Sequence, residues 1–162
     1  MTEDDITELS RKLGRAAKRR RVQIVTAESC TGGGVAAAIT RISGSAKYFD
    51  RGFVTYANDA KRELLGVNAR TLKRFGAVSE EVAREMATGA LKKSPSDVSV
   101  SVTGIAGPTG AAPGKPVGLV WFAWAQRGGP VQSRGFRFEG GRVEVRMQSV
   151  YVAIRGLIDL LR

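Results

Sequence analysis

The chain contains no histidine. That absence removes every Ser-His and Cys-His nucleophile pair. With a single cysteine, Cys30, it also removes the ordinary zinc ligand sets. Acid–base chemistry is left to Lys, Asp, Glu, Tyr or Arg. One cysteine makes no internal disulfide, which fits a reducing compartment, so a cytoplasmic location is the expectation. No apolar run follows the first charges, and no uninterrupted apolar stretch approaches the ~18 residues of a membrane span. Neither a secretory leader nor membrane association is expected. Acidic residues are scarce: 15 against 26 Lys and Arg give a net charge of +11. Such an excess suits a nucleic acid, an anionic small molecule, or merely a solvated basic surface. No aromatic stacking motif accompanies the charge, so a nucleic-acid partner is not expected.

What is present is a chain of 162 residues, 43% hydrophobic, enough to bury one sizeable core. Residues 4–20 carry Ile6, Leu9, Leu13 and Ala16 at helical spacing beneath a very basic face. "VQIVTA" reads as a short buried strand, and "GGGVAAAIT" as a small-residue helix pressed against a sheet. "RGFVTYA" reads as a second strand. "NDAKRELLG" follows as a helix with Asn58 and Asp59 as cap-like residues and Gly66 as its stop. A short helix spans 69–75, and Ser79 caps another with Glu80 and Glu81 in its first turn. "VSVSVTG" alternates as a strand should. "IAGPTGAAPGKP" is a long Gly/Pro loop, unusual unless it has a function. "VGLVWFAWA", "RGGP" and "VQSRGFRF" make a hairpin. A last helix starts near Gly141. Its apolar row, Val143, Met147, Val150, Ile154, Leu157 and Leu161, either packs on the sheet or forms the face of a homo-oligomer. These elements predict one domain over 1–162, a three-layer α/β/α sandwich with a mixed sheet.

Three polar loops leave strand ends. In "TAESCTGGG" Ser29 stands where a buried strand turns into a helix. The N–H groups after it, through Thr31, Gly32 and Gly33, can hold an oxyanion or a phosphate. Ser29 or Thr31 could equally be a plain helix cap. Lys61 follows "TYAND" at the next strand-to-helix junction, so it and Tyr56 can project from the same end of the sheet. A lysine can activate a serine if burial lowers its pKa, or it can be a solvated surface residue. Glu28 either pairs with Lys61 or favours the helix start. Thr103 and Gly104, at the head of "VTGIAGPTG", close the third loop, and ligands in open α/β sheets bind where strand ends meet loops.

The fragments "TAESCTGG", "TYANDAKRELLGV", "GAVSEEVAREMA", "VSVTGIAGP" and "KPVGLVWFAW" resemble, in the same order, the CinA C-terminal domain family, the nicotinamide-nucleotide amidohydrolases. The resemblance covers about residues 5–160 and is to the stand-alone form. It implies hydrolysis of nicotinamide mononucleotide to nicotinic acid mononucleotide and ammonia, a step of pyridine nucleotide salvage. No cofactor is expected, and no metal, because the chain lacks histidine and an obvious acidic cluster. By position Ser29 is the nucleophile and Lys61 its general base, with Tyr56 in the same hydrogen-bond network. Thr31, Gly32, Gly33, Thr103 and Gly104 contact the substrate. Arg142, or alternatively Arg146, meets the phosphate. The chain departs from the family at Gly110-Ala111, commonly a glycine pair, and at Gly141, commonly acidic. A non-catalytic nucleotide-binding domain is the competing reading of the same loops.

Overall fold

The helices and strands alternate along the first half of the chain and end in a hairpin and a long helix. The computed structural model describes residues 1–162. In order the elements are α1 (Glu3–Arg20), β1 (Ile24–Glu28), α2 (Gly34–Thr40), β2 (Phe49–Val54), α3 (Asn58–Leu65), α4 (Ala69–Phe75), α5 (Glu80–Lys92), β3 (Val98–Gly104), β4 (Leu119–Gln126), β5 (Val131–Arg137) and α6 (Arg142–Leu160). The sheet order is β2-β1-β3-β4-β5. β1 pairs in parallel with both β2 and β3, whereas β4 and β5 are antiparallel. The sheet is therefore mixed. Helices α1, α2 and α6 cover one face and α3, α4 and α5 the other.

β1 is buried along its whole length because it has neighbours on both edges and helices on both faces. α1 buries Ile6, Leu9, Leu13, Ala16 and Ala17 and leaves its basic residues outward. A capping box between Thr2 and Asp5 starts it. The alternation of β3 puts Val98, Val100 and Val102 into the α1–α6 core. Its other face is not solvated. Ser99, Ser101 and Thr103 donate to the carbonyls of Ala87, Ala83 and Ala77 at 2.7, 2.6 and 2.8 Å. Small residues in α5, Ala83 and Ala87, face β3 there, and Gly89 lets α5 lie against the end of α3, where a Cβ would stand 2.0 Å from the Leu65 carbonyl oxygen.

Among the boundaries that differ from the sequence expectation, β1 spans Ile24–Glu28 and α2 starts only at Gly34, and the starts of α3 and β4 and the end of β2 shift as well. β2 begins at Phe49 and stops at Val54, opposite Glu28, because β1 has turned away by Ser29. Residues 55–57 leave the sheet and enter α3, whose N-cap is Ala57 with no side-chain cap; Asn58 and Asp59 lie inside the first turn. Val117 and Gly118 precede β4, since Gly118 adopts φ 92° and donates to the Ile105 carbonyl. The apolar row of α6 is largely satisfied inside the chain. Val150, Ile154, Leu157 and Leu161 are buried, whereas Val143 is 69% exposed. No helix is long and apolar enough to cross a membrane.

Candidate active site

Because β2, β1 and β3 run parallel side by side, their C-terminal ends open on the same edge of the sheet. Short hydrogen bonds fix the chain just beyond them. The Ser29 N–H donates to Val102 O at 2.9 Å, and the Thr55 N–H donates to Glu28 O at 2.8 Å. Ser29 and the start of α3 are thus brought together across β1.

Lys61 is 1% exposed and points back from α3 toward the strand ends. Its Nζ lies 3.1 Å from Ser29 Oγ, 2.8 Å from Thr55 O and 3.2 Å from Tyr56 O. No carboxylate is among these contacts. Burial pushes the Lys61 ammonium down from 10.5 to about 8. A neutral amine has two N–H bonds and one lone pair. Two carbonyls can take the two N–H bonds, which leaves the lone pair for the Ser29 hydroxyl.

Glu28 does not pair with Lys61. Its carboxylate accepts from the Thr31 hydroxyl at 2.6 Å and from the Val35 and Ala36 amides at 2.8 and 3.0 Å. Fully buried, it caps α2 from seven residues upstream. Gly32 and Gly33 take φ 58° and 100°, a tight turn that glycine enters without a Cβ penalty. The Gly32 N–H is spent on Ser29 O at 3.0 Å. The N–H groups of Cys30 and Thr31 donate to no acceptor in the chain and stand directly after the serine. Cys30 itself is packed into the core, and burial pushes its thiol up to about 12. It is an inert neighbour.

The remaining expected residues divide. Tyr56 enters the Lys61 network through its carbonyl and not its phenol. Its side chain is exposed, and its hydroxyl accepts from Arg142 Nη2 at 3.0 Å. Arg142, at the start of α6, also donates through Nη1 to Gly107 O at 2.8 Å. It therefore ties the Tyr56 junction to the Gly/Pro loop. Arg146, one turn on, donates to Thr31 O at 3.2 Å. Thr103 is turned away: period-two alternation aims its hydroxyl at Ala77 O in the turn before α5. Gly104 sits in the β3–β4 ladder opposite Val120, where a Cβ would come within 2.6 Å of Val120 Cγ2. No group of three His, Cys, Asp or Glu side chains is arranged to hold a metal ion.

Sequence reasoning missed three contributors. These are the Thr55 and Gly107 carbonyls and the Cys30 N–H, all backbone groups that carry no side-chain signature.

Known proteins share this arrangement of chain. Nicotinamide-nucleotide amidohydrolase PncC of Escherichia coli (strain K12) is 50% identical over 157 residues, 97% of this chain and 95% of the relative. The protein of the same name from Pseudomonas putida is 47% identical, covering 97% and 98% of the two chains. The crystal structure of competence/damage inducible protein CihA from Agrobacterium tumefaciens superposes with a TM-score of 0.95 at 48% identity, over 98% of this chain and 96% of that one. Residues 6–161 match the CinA C-terminal domain. The chain belongs to the CinA C-terminal domain family.

Proposed function

We propose that this chain is an amidohydrolase that converts nicotinamide mononucleotide to nicotinic acid mononucleotide and ammonia through a Ser29–Lys61 pair. The observation that carries the reading is the buried, carboxylate-free Lys61 Nζ at 3.1 Å from Ser29 Oγ. A lysine whose ammonium burial pushes down to about 8 gives up its proton far more readily than an ordinary one, which suits it to act as a base near neutral pH. Relatives that carry the amidohydrolase name at about half identity support the reaction class and the substrate.

Lys61 takes the Ser29 proton as Oγ attacks the carboxamide carbon. The positive pyridinium ring makes that carbon more electrophilic than in a neutral amide. Negative charge gathers on the carboxamide oxygen, next to the Cys30 and Thr31 N–H groups, and each such donor is worth about 3 kcal/mol. Protonated Lys61 returns its proton to the amide nitrogen, the C–N bond breaks, and ammonia leaves an acyl ester on Ser29. Water then attacks the ester, Lys61 accepts its proton and passes it to Ser29 Oγ, and the acid departs. Arg142 is the proposed reader of the 5′-phosphate, helped by the free N–H groups of the first turn of α6. Tyr56 positions Arg142 through its hydroxyl and Lys61 through its carbonyl.

Purified protein is to be incubated with nicotinamide mononucleotide and followed for ammonia and nicotinic acid mononucleotide in equal amounts. Tight binding of the nucleotide without ammonia would favour a non-catalytic binding domain instead.

A further inference from the structure

Thr31 is gripped from two sides by charged residues that lie far apart in sequence. Its hydroxyl donates to Glu28 Oε1 at 2.6 Å, and its carbonyl accepts from Arg146 Nη2 at 3.2 Å. The same carbonyl accepts the Gly34 N–H at 2.9 Å, while the Gly32 N–H is held by Ser29 O at 3.0 Å. The other contacts of the Glu28 carboxylate, to the Val35 and Ala36 amides, anchor this clamp to α2. Arg146 Nη2 also lies over Gly32, 3.2 Å from where its Cβ would be. Both polar ends of Thr31 are therefore fixed, and its N–H alone is left without a partner in the chain.

We propose that Glu28 and Arg146 are positioning residues that hold Thr31 by its hydroxyl and carbonyl so that its N–H, together with that of Cys30, meets the oxyanion formed when Ser29 attacks. The proposal rests on the acyl-transfer reading of Ser29. The turn contains Gly32 and Gly33 at positive φ, a conformation that glycine leaves as easily as it enters. Such a turn needs an external constraint if its amides are to point at one place. The Glu28 carboxylate supplies it from within the strand, and the Arg146 guanidinium from α6. Arg146 is exposed on its outer side, so it can be removed without emptying the core. Its assignment here differs from a phosphate contact, which would show in substrate affinity and not in turnover.

The test has two arms. In the first, backbone amide exchange is measured on the unliganded protein. Arg146→Ala should speed exchange at Gly32 and Gly34 roughly tenfold or more, as expected for loss of a charge-assisted hydrogen bond, with β1 and β3 unchanged. Unchanged exchange at both glycines would overturn the clamp, whatever the protein catalyses. In the second arm, Arg146→Ala should lower kcat about 10- to 100-fold, the scale of a small misplacement of catalytic groups. Its Michaelis constants for the mononucleotide and the dephosphorylated riboside should stay near those of wild type. Arg146→Lys should restore most of the loss, since the carbonyl needs one donor. A rise in the Michaelis constant for the mononucleotide alone, with kcat intact, would overturn the proposal in favour of phosphate binding. Glu28→Gln should also lose kcat; because that carboxylate is buried, Thr31→Val removes the same hydrogen bond more gently and should lose kcat too. Wild-type turnover by Thr31→Val would overturn the Glu28 half. Absence of ammonia release by wild type would count against the amidohydrolase reading, and the exchange arm would still decide the clamp.

Discussion

At the scale of single residues the decisive property is the proton on Lys61. Burial holds its pKa near 8 against 10.5 for an ordinary lysine. As a base it must be neutral, so kcat/KM should rise with pH through about 8 and level off above it. Lys61→Arg should be inactive across this range, because a guanidinium keeps its proton. Near-normal turnover by the arginine variant would make Lys61 an electrostatic partner and not a base. The same shift has a consequence for stability. A lysine whose folded pKa is depressed destabilises the native state most fully below about 8, and the penalty disappears as pH rises to 10.5. Wild type should therefore gain about 3 kcal/mol relative to Lys61→Met between those two pH values, at about 1.4 kcal/mol per pKa unit. Denaturant melts at both pH values measure it, and a constant difference would show that Lys61 is not buried in its charged form's disfavour. Arg142 provides a separate check. Its truncation should raise the Michaelis constant for the mononucleotide about 10- to 100-fold more than for the riboside, the range of a hydrogen bond to charge. Equal effects on both would mean that Arg142 shapes the mouth of the site without reading the phosphate.

At the scale of elements, the site depends on how closely α3 packs against α5. Gly89 is the point of closest contact, with its missing Cβ 2.0 Å from the Leu65 carbonyl oxygen at the end of α3. Gly89→Ala should destabilise the fold by about 1–3 kcal/mol through overpacking. It should also lower turnover, since α3 carries Lys61. An unchanged melting temperature would contradict this packing. The order of elements was legible in the sequence, because a 3.6-residue period is strong over α1, α5 and α6, a two-residue period over β3, and β4 is a continuous apolar run. The Ser29–Lys61 juxtaposition was legible as well, from two strand-to-helix junctions on parallel strands. Thr103 was not, because "VSVSVTG" looks the same whether its polar face meets water or, as here, carbonyls of α5 and of the turn before it. Glu28 was ambiguous for a similar reason: the helix it caps begins after an intervening glycine turn, beyond the reach of local cap patterns. Tyr56 contributes a carbonyl to Lys61, and side-chain chemistry says nothing about carbonyl direction.

At the scale of the whole molecule, the chain combines a strongly basic surface with an active-site edge that holds no cluster of metal-ligating side chains. The proposed mechanism assigns every proton to Ser29, Lys61, the substrate or water. Exhaustive treatment with a chelator should leave ammonia release unchanged. A loss restored by one added divalent ion would contradict it. The most direct test of the central claim asks whether Ser29 itself carries the acyl group. Wild-type protein is mixed with nicotinamide mononucleotide, quenched in acid and digested, and Ser29→Ala is assayed alongside after its fold is checked by circular dichroism. The account predicts an ester of the nicotinic acid nucleotide on the peptide containing Ser29, and no ammonia release by the folded alanine variant. Ammonia release at the wild-type rate by folded Ser29→Ala would contradict it.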